Sequence, residues 1–89
     1  MMRLDKFLKV SRLIKRRPLA KEVADQGRIM INGNRAKASS TVAIDDELVI
    51  EFGQKTVTVK VNDLKESTRK EDAIKLYTVV KEELKSKEE

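Results

Sequence analysis

Apolar residues recur along this chain at two periods, and the switch between them divides it. Leu4, Phe7, Leu8, Ser11 and Ile14 fall on one helical stripe, while Lys6, Lys9 and Arg12 step along the other side at intervals of three. The spacing predicts an amphipathic helix over Leu4 to Ile14 with a basic face, and Phe7 belongs to the core. Pro18 opens a second helix, because its missing N–H would be unpaired in a first turn anyway. Leu19 with Val23 and Ala20 with Ala24 keep the i, i+4 spacing, and Gln26-Gly27 ends the run with a residue that accepts the left-handed conformation.

After Gly27 the period drops to two. Ile29 and Ile31 alternate with Arg28, Met30 and Asn32, and Asn32-Gly33 predicts a hairpin turn returning through Arg35 to Ala38. Val42 and Ile44 lead to a turn at Asp45-Asp46. Leu48 to Phe52 and Thr56 to Val61 then read as strands joined at Gly53-Gln54. Near the end, Thr68 and Glu71 have capping-box spacing, and Ala73, Leu76, Tyr77, Val80 and Leu84 fit a helix from about Arg69 to Lys85. Its stripe either docks on the domain or serves a protein or RNA partner. The expected fold class is α+β: two N-terminal helices on a small, mainly antiparallel sheet plus a C-terminal helix. The expected division is a domain over 3–66 followed by a helix and charged tail over 67–89.

Charge sharpens this picture. Residues 1–40 hold eleven Lys/Arg against three acids, a net of +8, whereas residues 41–89 hold nine against twelve, a net of −3. Bases so little diluted by acids point to a polyanion bound by the first half. Lys15, Arg16 and Arg17 have no apolar stripe to serve, so a structural role explains them poorly. With 89 residues there is room for one domain and a tail, and none for a second, catalytic one. The chain has no histidine and no cysteine, its glycines are too scattered for a phosphate loop, and its paired carboxylates do not face each other, so no enzyme activity, metal or cofactor is expected. Charges close to the N-terminus leave no apolar run for a signal or a membrane span, which predicts a cytosolic protein. Only three aromatic residues are present, so recognition of folded RNA by shape, phosphates and ribose hydroxyls fits better than base stacking.

Taken in combination, Arg3-Leu4-Asp5-Lys6-Phe7-Leu8, Ser11-Arg12, Leu19-Ala20-Lys21 and Gly27-Arg28-Ile29-Met30-Ile31-Asn32-Gly33 resemble the S4 (alpha-L) RNA-binding domain, with R-L-D at its start and G-x-[I/V]-x-[I/V]-N-G at its hairpin. The length is similar to the heat-shock protein 15 type. Within it, Arg3 to Arg17 and Ser39-Ser40 resemble the RqcP group of bacterial ribosome quality-control factors. Asp45 departs from the pattern, standing where the family often has Gly.

The resemblance implies a non-catalytic rRNA- and tRNA-binding factor. Its target would be an obstructed large ribosomal subunit carrying peptidyl-tRNA, and its partner RqcH, which directs C-terminal alanine tailing while the tRNA is held. Carried onto this sequence, the RNA-binding candidates are Arg3, Asp5, Lys6, Lys9, Arg12, Lys15, Arg16 and Arg17, with Arg28, Arg35 and Lys37 on the hairpin side. Asp5 either caps the first helix, orients a neighbouring arginine or accepts an RNA hydroxyl. The other readings are a large-subunit recycling or assembly factor, a protein-interaction adaptor using the C-terminal stripe, and an orphaned targeting module of a pseudouridine synthase. With no strict heptad seam, a monomer off the ribosome is expected.

Overall fold

The first helix, α1 (Leu4–Val10), stops short of the Ile14 that its stripe predicts. The cause is local: Ser11 Oγ donates to the Leu8 carbonyl at 3.3 Å and accepts the Leu13 amide at 3.4 Å, competing with the helical ladder. Arg12 then adopts φ +62°, the left-handed position after a helix that glycine usually fills. The Ile14 amide returns to the Leu8 carbonyl at 3.1 Å, which buries Ile14 although it lies outside the helix. Helix α2 (Arg17–Asp25) begins with Pro18 in its first turn, and Gly27 follows its end at φ +77°.

The computed structural model, which describes residues 1–65 and 69–84, places these helices on one face of a five-stranded antiparallel sheet. Strands β2 (Ile29–Ile31) and β3 (Asn34–Arg35) form the predicted hairpin, with Asn32 at φ +52° and Gly33 at φ +88° as the two-residue turn. Strands β5 (Glu47–Phe52) and β6 (Lys55–Val61) form where expected, and Val57, Val59 and Val61 of β6 alternate inward. Leu48 lies opposite Val59 and Ile50 opposite Val57, all four buried against Leu4, Phe7, Leu8, Ala20 and Ala24 of the helices. Unforeseen is a pair of two-residue strands, β1 (Met2–Arg3) on β4 (Thr41–Val42).

Two turns lock together. Asp46 Oδ2 accepts the Ala43 amide at 2.8 Å, and its Oδ1 accepts Asn32 Nδ2 at 3.1 Å. The Asn32 side-chain oxygen in turn receives the Glu47 amide at 2.9 Å. Asp45 keeps the left-handed backbone, φ +78°, that a glycine there would supply. Aspartate is among the residues that tolerate it, so the turn survives the departure from the family pattern.

The C-terminal segment corrects the sequence reading. Among the described residues of the segment, helix is confined to α3 (Lys70–Ala73) and one 3₁₀ turn (Ile74–Leu76), after which Tyr77–Leu84 is a strand, β7, paired with β6. The apolar spacing that suggested a long helix also fits this path, because Ala73 and Leu76 are buried while Val80 and Leu84 are not. What decides is the backbone of β6, whose second edge needs partners, together with the β-branched Thr78-Val79-Val80 run. Val80 is the extra residue where the register shifts from Thr58 opposite Lys81 to Val59 opposite Val79. Thr68 of the expected capping box, and residues 85–89 of the expected tail, lie outside the described residues.

Leu76 is 1% exposed and Val80 54%. Leu76→Ala is therefore expected to cost about 2–5 kcal/mol and Val80→Ala less than about 0.5 kcal/mol in urea unfolding. Equal, small effects would show that the C-terminal segment does not dock.

Candidate nucleic-acid interface

An α-helix starts with backbone N–H groups that have no partner inside it. In α1 the Leu4 amide donates to the Ser40 carbonyl at 2.7 Å and the Asp5 amide to the Ala38 carbonyl at 3.2 Å. The loop after the hairpin thus caps the helix, and it is held in turn by the Ala38 amide on Asp25 Oδ1 at 3.1 Å and the Lys37 amide on Ser40 Oγ at 2.9 Å. Asp5, the second residue of α1, is left free for another task.

Its Oδ1 accepts Arg3 Nε at 3.2 Å and its Oδ2 accepts Arg3 Nη2 at 3.4 Å, and Arg17 Nε stands 3.5 Å from the same Oδ2. The Asp5 side chain is 4% exposed, those of Arg3 and Arg17 52% and 47%. Burial disfavours the charged form, yet the Arg3 hydrogen bonds and the nearby charges of Arg17 and Arg3 outweigh it and hold Asp5 below the usual carboxylate range. Of the roles open to Asp5, the geometry displays arginine orientation: one buried anion grips two guanidiniums and leaves much of each facing solvent. A guanidinium has five N–H donors in a fixed fork, so donors remain for a phosphate.

The remaining candidates fall into three places. Lys6 and Lys9 ride on α1, half-buried and exposed respectively. Arg28, Arg35 and Lys37 are exposed around the hairpin, and Arg35 Nη1 donates to the Gly27 carbonyl, tying the hairpin to the end of α2. Arg12, Lys15 and Arg16 lie in the connection between the helices and border apolar hollows. Lys21, not among the candidates, is exposed and stands one turn beyond Arg17 on the same side of α2, where the i, i+4 spacing places it. Among the described residues no cluster of three or more Asp, Glu, His or Cys could hold a metal ion, and no helix is long and apolar enough to cross a membrane.

The S4 domain profile matches residues 2–48, more than half of the chain. The chain belongs to the S4 domain family. It is 73% identical over 82 residues to the RQC P-site tRNA stabilizing factor of Bacillus subtilis (strain 168), covering 92% of this chain and 95% of that protein. To the protein of the same name from Halalkalibacterium halodurans it is 67% identical over 88 residues, covering 99% and 100%. Heat shock protein 15 of Escherichia coli (strain K12) is 34% identical over 87 residues, 97% of this chain and 65% of the longer relative. The trimeric structure of Vibrio cholerae Heat Shock Protein 15 superposes on this S4 chain with a TM-score of 0.83 at 31% identity, covering 89% and 81%.

Because the folded-state pKa of Asp5 is lowered, its ionised form stabilises the fold above the unfolded value of about 3.9, and this contribution is lost as pH falls through the folded value. Asp5→Asn in the S4 chain is expected to cost about 1 kcal/mol at pH 7, since water screens both half-exposed partners. The gap to the wild type should narrow once pH drops below about 4, read from urea midpoints across pH. A gap that stays constant with pH would mean Asp5 is not the ionised centre of the cluster.

Proposed function

We propose that this chain is a non-catalytic RNA-binding factor of ribosome quality control, working in the cytoplasm. It grips large-subunit rRNA and holds peptidyl-tRNA on an obstructed large subunit while RqcH directs C-terminal alanine tailing. The observation that carries this reading is the Asp5 cluster: two arginines, aimed outward by a buried carboxylate, on the half of the chain with a net charge of +8. Its high identity to proteins named RQC P-site tRNA stabilizing factor supports the choice of tRNA and ribosome over other folded RNAs.

In this proposal Arg3 and Arg17 make the central phosphate contacts, flanked by Lys6, Lys9 and Lys21 on the helices and by Arg28, Arg35 and Lys37 on the hairpin. Arg12, Lys15 and Arg16 extend the cationic field past the start of α2. Asp5 acts through the arginines it positions. Likeness to heat shock protein 15 favours a second reading, an S4-type large-subunit recycling or assembly factor with no part in tailing.

Arg17→Ala is expected to weaken binding to large subunits carrying peptidyl-tRNA at least tenfold, about 1.4 kcal/mol, with an unchanged circular-dichroism spectrum. The salt dependence of binding should flatten by about one phosphate contact. A pull-down of tagged protein, with and without Arg17→Ala, separates the readings by its RNA and by blotting for RqcH. Recovery of large-subunit rRNA and tRNA together with RqcH, lost in the variant, is the expected result. Large-subunit rRNA without tRNA or RqcH favours the recycling factor, and unaltered recovery from Arg17→Ala removes the Asp5 cluster from the binding site.

A further inference from the structure

The inner face of the five-stranded sheet is not fully covered at its β7 margin. Val79 pairs with the buried Val59 and Tyr77 with the buried Val61, so both stand on the inner face of the sheet. Tyr77 remains half-buried and Val79 51% exposed.

Two hollows lie along this uncovered margin, of about 400 Å³ and 410 Å³, and Leu13 and Phe52 form the wall common to both. One runs between the α1–α2 connection and Leu19 and Val23 of α2, the other between Phe52 and β7. On α2, Leu19 and Val23 are some 200–240° round the helix from Arg17, so the groove opens on a different side from the Asp5 cluster. Leu19 is 48% exposed there. The rim carries Arg12, Lys15, Arg16 and Lys55 against a single carboxylate, Glu82, which Lys55 already holds at 2.8 Å.

We propose that this groove docks an acidic, amphipathic segment of a partner protein, with one apolar anchor in each hollow and its carboxylates on the cationic rim. Phosphates cannot cover the apolar floor, and a nucleobase stacked on Phe52 or Tyr77 would fill one hollow and leave the second open. A helix with apolar anchors on one face and acids on its flanks offers groups for both hollows and the rim at once. The chain's own residues 85–89, Lys-Ser-Lys-Glu-Glu, have no apolar side chain to offer.

The test is a titration of the ¹⁵N-labelled full chain with a short helical peptide carrying leucines at i and i+4 and glutamates on its flanks. Saturable shifts at the amides of Leu13, Leu19, Phe52 and Tyr77 are expected. Affinity should fall at least tenfold when the glutamates become lysines, and again when the chain carries Leu19→Ser with Val79→Ser, whose exposed sites spare the fold and the RNA affinity. No shifts, shifts elsewhere or indifference to the peptide's charge would overturn the proposal. So would groove shifts produced by a single-stranded oligonucleotide instead of the peptide, which would assign a base site, or by raising the chain's own concentration, which would assign a second copy.

Discussion

A carboxylate shut away from water must be neutralised or paired, and the pairing of Asp5 sets the geometry around it. Left ionised without partners, the group would cost several kcal/mol. Arg3 comes to it from the residue before α1 and Arg17 from the first residue of α2. The same contact thereby fixes the entry into one helix and the start of the next. It also holds two flexible cations in place before any ligand arrives. An arginine carries about 2 kcal/mol of rotamer entropy, so ordering it in the free protein lowers what binding must later pay.

Where a turn demanded a particular backbone, the sequence was legible. Asn32-Gly33 needs two residues tolerant of positive φ, Gly27 ends α2, and Pro18 starts it, so these boundaries fell where local chemistry put them. The end of α1 was hidden because Ile14 folds back into the core from outside the helix and so mimics helical periodicity. For β7 the misleading signal was an apolar spacing of three and four; the opposing one, Thr78-Val79-Val80, gains its force only from the unpaired edge of β6 beside it. The β1–β4 pair is too short to leave a period at all. In the candidate site the basic residues were visible as a run, but which of them converge was not. Only the fold brings Arg3 and Arg17 to one carboxylate and turns Arg12, Lys15 and Arg16 toward an apolar margin.

Adding β7 satisfies the backbone of β6 and creates a new edge in its place. Exposed edges invite pairing with other chains, and this one is blunted by Lys81, Glu82 and Glu83 and by the bulge at Val80. The charges lie toward the end of the strand, where Lys55 meets Glu82 at 2.8 Å and Lys81 meets Glu83 at 3.2 Å. Closer to Tyr77 the strand is apolar and uncharged, which is where its inner face joins the groove. Protection against unselective pairing and an open apolar margin therefore occupy different stretches of one strand.

The charge division along the sequence follows the architecture. The basic forty residues build α1, α2 and the β2–β3 hairpin, while β4 to β7 come from the half with net negative charge. A polyanion approaching this molecule meets the helix and hairpin side first, because repulsion from the other half and attraction from this one act together. The α1–α2 connection belongs to the basic half yet borders the apolar groove. Its cations, Arg12, Lys15 and Arg16, are therefore shared between two surfaces, and a ligand on either side alters the field felt by the other. Coupling between the two needs no moving part, because charges act over roughly 8–10 Å at physiological salt and Arg16, on the groove, is the chain neighbour of Arg17, in the Asp5 cluster.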